Sequence, residues 1–288
     1  MTRHFLELSD LSPGDLTAVL DLSERSDPPQ VLAGKGMALL FEKPSARTRN
    51  SVEMAVVQLG GHPVTIRDDE VGLDIRESCE DVARTLSCYH HAIGARVFDH
   101  GKLERLAAAS SVPVVNLLSD RSHPIQALAD LLTIRQHVGR LDDVTLAYVG
   151  DGNNMAHALA QATELCCLNV RVSSPPGYRL EEATKAELVD DPADAVRGAD
   201  VVYTDTWVSM GQEAEAAKRR PLFAPWRVTA ELLALAAPDA IFLHCLPAHR
   251  GDEVVDAVLD GRQSRVWAQA ANRMHTTRGL LAFLLGAS

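Results

Sequence analysis

Ser45-Ala46-Arg47-Thr48-Arg49 follows the apolar run Met37 to Phe41 and opens a helical apolar repeat of Val52, Ala55, Val56 and Leu59. A helix start presents free backbone N–H groups and the positive end of the dipole, and two arginines and two hydroxyls add donors. Arginine can grip phosphate with two parallel bonds, so the segment suits an anion. Taken alone, it is equally a capped helix with solvated arginines. Another strand ends at Arg96, and a further one leads into Ser122-His123-Pro124-Ile125-Gln126. Proline fits the first turn of a helix, and residues three apart share a face. His123 there could polarise a carbonyl, and Gln126 could hold a small planar group. The plainer alternative is that His123 caps the helix.

The second half offers Gly150-Asp151-Gly152-Asn153-Asn154-Met155 after a strand, which invites a dinucleotide-binding interpretation. Met155 occupies the third glycine position, and the next strand ends Arg171-Val172-Ser173-Ser174 without an acidic residue for a ribose, so a nicotinamide cofactor is not expected. The two asparagines suit a zwitterionic amino-acid head group, because an amide both donates and accepts. Two further strand-end segments are Asp205 to Glu213 and His244 to Arg250. Asp205 could hold a cationic amine or cap a turn. Cys245 is open to three roles: nucleophile, metal ligand or buried apolar residue. Asn272-Arg273 precedes the final helix and could return an arginine to the crevice.

Positioning these residues requires strands and helices in alternation. Ser12-Pro13 starts a first helix carrying Leu16, Val19, Leu20 and Leu22. Strands follow at Met37 to Phe41, Pro63 to Ile66, Ala92 to Phe98 and Val112 to Leu117, with helices between them. A long amphipathic helix runs from His123 to about Val138, ending in the polar stretch GRLDD. Strands resume at Val144 to Val149, Val170 to Ser173, Val201 to Thr204 and Ile241 to His244. The expected architecture is α/β: two open, mostly parallel sheet domains, residues 1–138 and 139–288, joined by the long helix. A C-terminal helix over about residues 269–286 is expected to return to the first domain. In such sheets ligands bind outside the carboxyl ends of the strands, where every candidate above except Asn272-Arg273 lies.

A chain of 288 residues favours two domains, and 46% hydrophobic with 23% charged residues is ordinary for a globular protein. The net charge of -11 argues against nucleic acid and anionic membranes, so an anionic substrate needs a local basic pocket. No signal-peptide core and no run of 18 apolar residues occurs, which points to the cytoplasm. The five cysteines lack CxxC spacing and are expected to be mostly buried apolar residues.

Together, FEKPSARTR, HPIQALADL, VGDGNN, DTWVSMGQE and HCLPAHRGDEV resemble, in this order, the signature segments of the ornithine carbamoyltransferases, over almost the whole chain. The resemblance implies an N-terminal carbamoyl-phosphate domain and a C-terminal amino-acid domain. It implies that Ser45, the Ala46 backbone, Arg47 and Thr48 cradle phosphate, with Arg96 bridging phosphate and carbonyl and His123 polarising that carbonyl. Gln126, Cys245, Leu246 and Arg273 would surround the carbamoyl group. Asn154, Asp205, Ser209 and Met210 would hold ornithine, with Asp205 and Cys245 near the attacking nitrogen. Carbamoyl phosphate carries its own leaving group, so neither metal nor cofactor is expected. A homotrimer or multiple of trimers is implied.

Two features depart from that pattern. Ala46 replaces the usual threonine or methionine, which leaves the backbone donor in place. Arg67-Asp68-Asp69-Glu70-Val71-Gly72-Leu73-Asp74, in a region that reaches a neighbouring subunit's phosphate site in the family, is acidic unless Arg67 or Arg76 compensates. Other readings are a carbamoyltransferase for putrescine or an acylated ornithine, a weakly active binding subunit, and a nucleotide-binding oxidoreductase.

Overall fold

The computed structural model describes residues 2–181, 184–209 and 211–287. The chain divides into two units, Met1–Ala129 with Ala271–Ser288, and Asp130–Ala270, so that the divisions fall inside the helices Pro124–Val138 and Val266–Leu284.

The first unit is built on β1 (Gly36–Phe41), β2 (His62–Arg67), β3 (Ala92–Arg96) and β4 (Val114–Leu118), all parallel and ordered β2-β1-β3-β4. Central strands of a parallel sheet are covered on both faces, which is why β1 and β3 are nearly unbroken apolar runs and almost wholly buried. Edge strand β2 is half-exposed and tolerates Pro63. One face packs Ala38, Leu40, Ile93 and Ala95 against Val82, Ala83, Leu103 and Leu106 of the helices Cys79–Tyr89 and His100–Ala109. Ser78 and Asp99 cap those helices by accepting backbone N–H bonds. Helix Pro13–Glu24 begins as expected, with Ser12 and Asp15 forming a capping box. The last helix packs tightly on it: a side chain at Gly279 would meet the Val19 carbonyl oxygen at 2.5 Å, and Arg278 caps the first helix through the carbonyls of Ser23 and Arg25.

The second unit holds β5 (Thr145–Val149), β6 (Asn169–Ser173), β7 (Glu187–Leu188), β8 (Val201–Thr204) and β9 (Ile241–His244), parallel in the order β7-β6-β5-β8-β9. Its core joins Ala147, Val149, Val202 and Phe242 to Val196, Val228, Val254 and Val258. Both sheets reverse direction once. The chain leaves β1 for β2 on one side and returns to β3 on the other; likewise it leaves β5 for β6 and returns to β8. Loops on either side of such a reversal diverge and open a crevice at the strand ends.

Several boundaries differ from expectation. The third strand stops at Arg96, where the candidate site needs it to end and two residues short of the Ala92 to Phe98 run; Arg96 turns toward Thr48 while the Phe98 backbone N–H is taken by the Glu42 carboxylate. β7 was not expected: two exposed residues carry no periodic signal. The acidic segment forms a helical turn, Asp68–Val71, closed by left-handed Gly72. The cysteines are a correction. Only Cys79 is buried; Cys88 and Cys167 are exposed, and Cys166 and Cys245 lie between. Cys88 sits on the outer side of its helix, and Cys167 ends a helix in the left-handed conformation.

Candidate active site

In the first unit the reversal lies between β1 and β3, whose ends pair Phe41 with Arg96. Ser45 caps the helix Ala46–Gln58 by accepting the Thr48 N–H at 3.3 Å, leaving Ala46 and Arg47 exposed in the first turn. Thr48 is buried, and its hydroxyl accepts from Arg96 Nη1 and from Arg273 Nη2, each at 3.3 Å. Arg273 lies inside the last helix rather than before it, because that helix already starts at Val266, and its Nη1 donates to Gln126 Oε1. Ser45, Ala46, Arg47, Thr48, Arg96, Gln126 and Arg273 thus share one unit, with two buried guanidinium groups meeting at one hydroxyl. Like charges brought together out of water repel, so this corner is poised for an anion.

His123 stands at the start of helix Pro124–Val138 and is only 8% exposed. Burial, then Arg273 and Arg96, hold its imidazole well below the ordinary histidine value, so it is neutral near pH 7. Its Nδ1 is buried without a hydrogen-bond partner among the described residues, an incomplete site that a ligand can complete. The acidic segment is partly neutralised within the unit: Arg67 pairs with Asp69 at 2.5 Å, and Arg105 spans Asp74 at 2.7 Å and Glu80 at 2.6 Å. Arg76 donates to the Glu70 carbonyl. Of these partners, Arg105 carried no sequence signal.

In the second unit the reversal lies between β5 and β8. The Gly150–Met155 loop leads into the helix Asn154–Ala160, and Gly152 packs so closely on the backbone of Arg179 and Leu180 that any side chain would collide. Asp205, just beyond β8, is buried, and both carboxylate oxygens are engaged. Oδ1 accepts from the Thr206 N–H at 2.7 Å and from Cys245 Sγ at 2.9 Å, and Oδ2 accepts from Asn153 Nδ2 at 2.9 Å. Asn154 opens the helix Asn154–Ala160, and the Ser209 N–H donates to Gln212 Oε1 at 3.2 Å. Met210 lies outside the described residues. Leu246 holds φ 58 and precedes a cis proline, and its N–H donates to His244 Nδ1 at 2.8 Å. His244 Nε2 in turn meets Glu253 at 3.1 Å, both fully buried.

Asp205, His244 and Cys245 also bring metal-ligand atom types within 4.8 Å of one another. Their bonds to one another, to Glu253 and to the Leu246 N–H already occupy both imidazole nitrogens, so a cation would have to displace them.

In the second unit, two side chains take places that the sequence does not indicate. Asn153, expected to face substrate with Asn154, turns inward to Asp205. Arg219 is buried: it donates to the Trp207 carbonyl at 2.6 Å, pairs with Asp151, and lies 4.6 Å from the Tyr178 ring centroid. The Asp151 carboxyl is pushed up to about 6, chiefly by burial, with Asp205 adding and Arg219 opposing. Asn153 carried the weak signal of a capping residue before a helix; Arg219, within Lys218-Arg219-Arg220, looked like a solvated charge.

Comparison with known proteins gives the arrangement a context. Residues 3–136 match a family model described as the aspartate/ornithine carbamoyltransferase carbamoyl-P binding domain, and residues 142–284 match that of its Asp/Orn binding domain. An ornithine carbamoyltransferase of Acidothermus cellulolyticus is 51% identical, over 100% of this chain and 98% of its own. Among solved structures, the ornithine carbamoyltransferase of Pyrococcus furiosus superposes with TM-score 0.94 at 44% identity, covering 100% of this chain and 98% of its own. That of Thermus thermophilus gives 0.92 at 43%, over 99% and 100%.

Proposed function

Because the chain belongs to the aspartate/ornithine carbamoyltransferase family, we propose that it transfers the carbamoyl group of carbamoyl phosphate to the side-chain amine of L-ornithine, giving L-citrulline and phosphate. The observation that carries this reading is the contrast between the two strand-end groups: paired guanidiniums in one unit, a carboxylate held by neutral donors in the other. Residues 1–138, joined by Arg273 of the last helix, take the donor. Ser45, the Ala46 backbone, Arg47 and Thr48 bind the phosphate, Arg96 bridges phosphate and carbonyl, and Gln126 and Arg273 hold the carbamoyl group together with the Cys245 and Leu246 backbone. Residues 139–288 take the acceptor through Asn154, Asp205, Ser209 and Met210.

The neutral amine nitrogen attacks the carbamoyl carbon and the carbonyl oxygen gains negative charge; the C–O bond to phosphate then breaks, and the departing phosphate takes the proton that the nitrogen gives up. Arg96 and neutral His123 stabilise that oxygen, which requires donors already in place. The attacking amine must first lose a proton, at a cost of about 4.6 kcal/mol at pH 7 for a lysine-like amine of pKa about 10.4. Asp205 and Cys245 orient it. Activity therefore rises on the alkaline side of neutrality, and Cys245→Ala keeps measurable turnover; complete loss with ornithine binding intact would sink the orienting role.

No helix among the described residues is long and apolar enough to cross a membrane. Action in the cytoplasm is part of the same proposal. The functional assembly is a homotrimer or a multiple of it, with residues 67–74 directed to a neighbouring subunit. The test is to supply carbamoyl phosphate with ornithine, putrescine, acetylornithine, lysine or aspartate and to measure ureido product and phosphate. Citrulline from ornithine supports the reading; product from another acceptor alone replaces it.

A further inference from the structure

Asn153 has every polar atom committed. Its Oδ1 accepts from the Met155 N–H at 2.9 Å and the Ala156 N–H at 3.2 Å, which caps the helix Asn154–Ala160. Because only an oxygen can receive those two donors, the amide cannot be flipped, and Nδ2 must project the other way. It meets Asp205 Oδ2 at 2.9 Å. A third donor, the Tyr148 hydroxyl, reaches Oδ1 at 3.2 Å. Burial first, then the charges of Asp205 and Asp151, hold that phenol well above its ordinary value, so it stays protonated and donates. Tyr148 is itself fixed, fully buried and stacked on Tyr203 with ring centroids 5.7 Å apart.

We infer that Asn153 is the positioning residue for Asp205: locked by the helix it caps and by Tyr148, its amide sets the rotation of the carboxylate that receives the substrate amine. The other oxygen is fixed by the Thr206 N–H and the Cys245 thiol. All three contacts are neutral, so they orient the carboxylate without cancelling its charge. A lysine or arginine in place of Asn153 would fix the group equally well but would neutralise the charge meant for an amine. The inference rests on the function proposed above, with Asp205 at the ornithine amine.

Capping and positioning can be separated, because serine and aspartate cap a helix about as well as asparagine. Asn153→Ser keeps the cap but cannot reach Asp205. Its kcat/KM for ornithine is expected to fall about ten- to hundredfold, the scale of a misplacement near 1 Å, while the KM for carbamoyl phosphate stays within about twofold and the urea midpoint holds. Asn153→Asp keeps the cap and sets an acceptor against Asp205, so its loss exceeds that of serine. Tyr148→Phe loses only the hydroxyl and falls by less than either. Unchanged kcat/KM in both Asn153 variants, or a carbamoyl-phosphate KM and urea midpoint that shift in step with activity, would overturn the inference. If the wild-type chain makes no citrulline at all, it is the proposed function that fails; if it does and the variants match it, the positioning role alone fails.

Discussion

Where the first sheet reverses, two guanidinium groups share one threonine hydroxyl; where the second reverses, a carboxylate gathers an amide, a backbone N–H and a thiol. The two places are topologically equivalent, since each lies at the carboxyl end of a parallel sheet beside its first strand. Topology therefore decides where chemistry collects, and the strand-end loops decide its sign. The first region stacks like charge, which an arriving anion relieves. The second keeps Arg219 buried and paired with Asp151, while Asp205's own donors are neutral.

The largest expected effect lies in that pair. Breaking a buried ion pair leaves one charge uncompensated, so Arg219→Met should cost about 3–5 kcal/mol in urea unfolding. Asp151→Asn added to it should restore most of the loss. A cost below about 1 kcal/mol would mean the pair behaves like an exposed one, and the contrast between the regions would weaken.

Arg96→Met tests the other side. Removing one donor to a developing oxyanion costs about 10²–10³ in kcat. A second readout is independent of turnover. Inorganic phosphate at a hundredfold excess over its Kd should stabilise the wild-type protein by about 2.7 kcal/mol, and this gain should vanish in the variant. Phosphate protection that survives the substitution would remove Arg96 from the anion site.

The two regions also respond to pH with opposite sign. The Asp151 carboxyl is raised from 3.8 to about 6, so its stabilising contribution is complete below 3.8 and is lost as pH rises to about 6. His123 is lowered from 6.5, so its contribution is complete above 6.5 and is lost as pH falls. Asp151→Asn should thus gain on the wild type with rising pH, and His123→Asn with falling pH, each by at most about 1.4 kcal/mol per pH unit. Parallel slopes in urea titrations of the two variants would contradict the assignment.

Much of this contrast was legible beforehand. Buried parallel strands declare themselves as apolar runs, and candidates picked solely because they follow such runs, Thr48, Arg96, Asp205 and Cys245, all sit at strand ends beside a reversal or on the next strand over. The residues that hold them were harder to see. Asn153 announces only a cap, and its contact with Asp205 is 52 residues away in sequence. Arg219 occupies a charged run, and nothing local says that Tyr178, Phe223 and Trp207 enclose it. Arg105 pairs across 31 residues with Asp74, which turned an unbalanced acidic stretch into a bridged one. Support from long-range partners is invisible to periodicity and spacing.

The smallest expected effect concerns Ala46. It is exposed in the first turn of its helix, and in the function proposed above the phosphate is held by the backbone and by Ser45 and Thr48, none of which depends on the side chain at 46. Ala46→Thr adds one hydroxyl donor and a β-branched residue at a helix start, where the propensity penalty is a few tenths of a kcal/mol. The KM for carbamoyl phosphate should therefore move by no more than about threefold, under 1 kcal/mol. A tenfold tightening would show that a side-chain donor at 46 belongs to the phosphate site, and that the first region owes less to its two buried arginines than their convergence on Thr48 indicates.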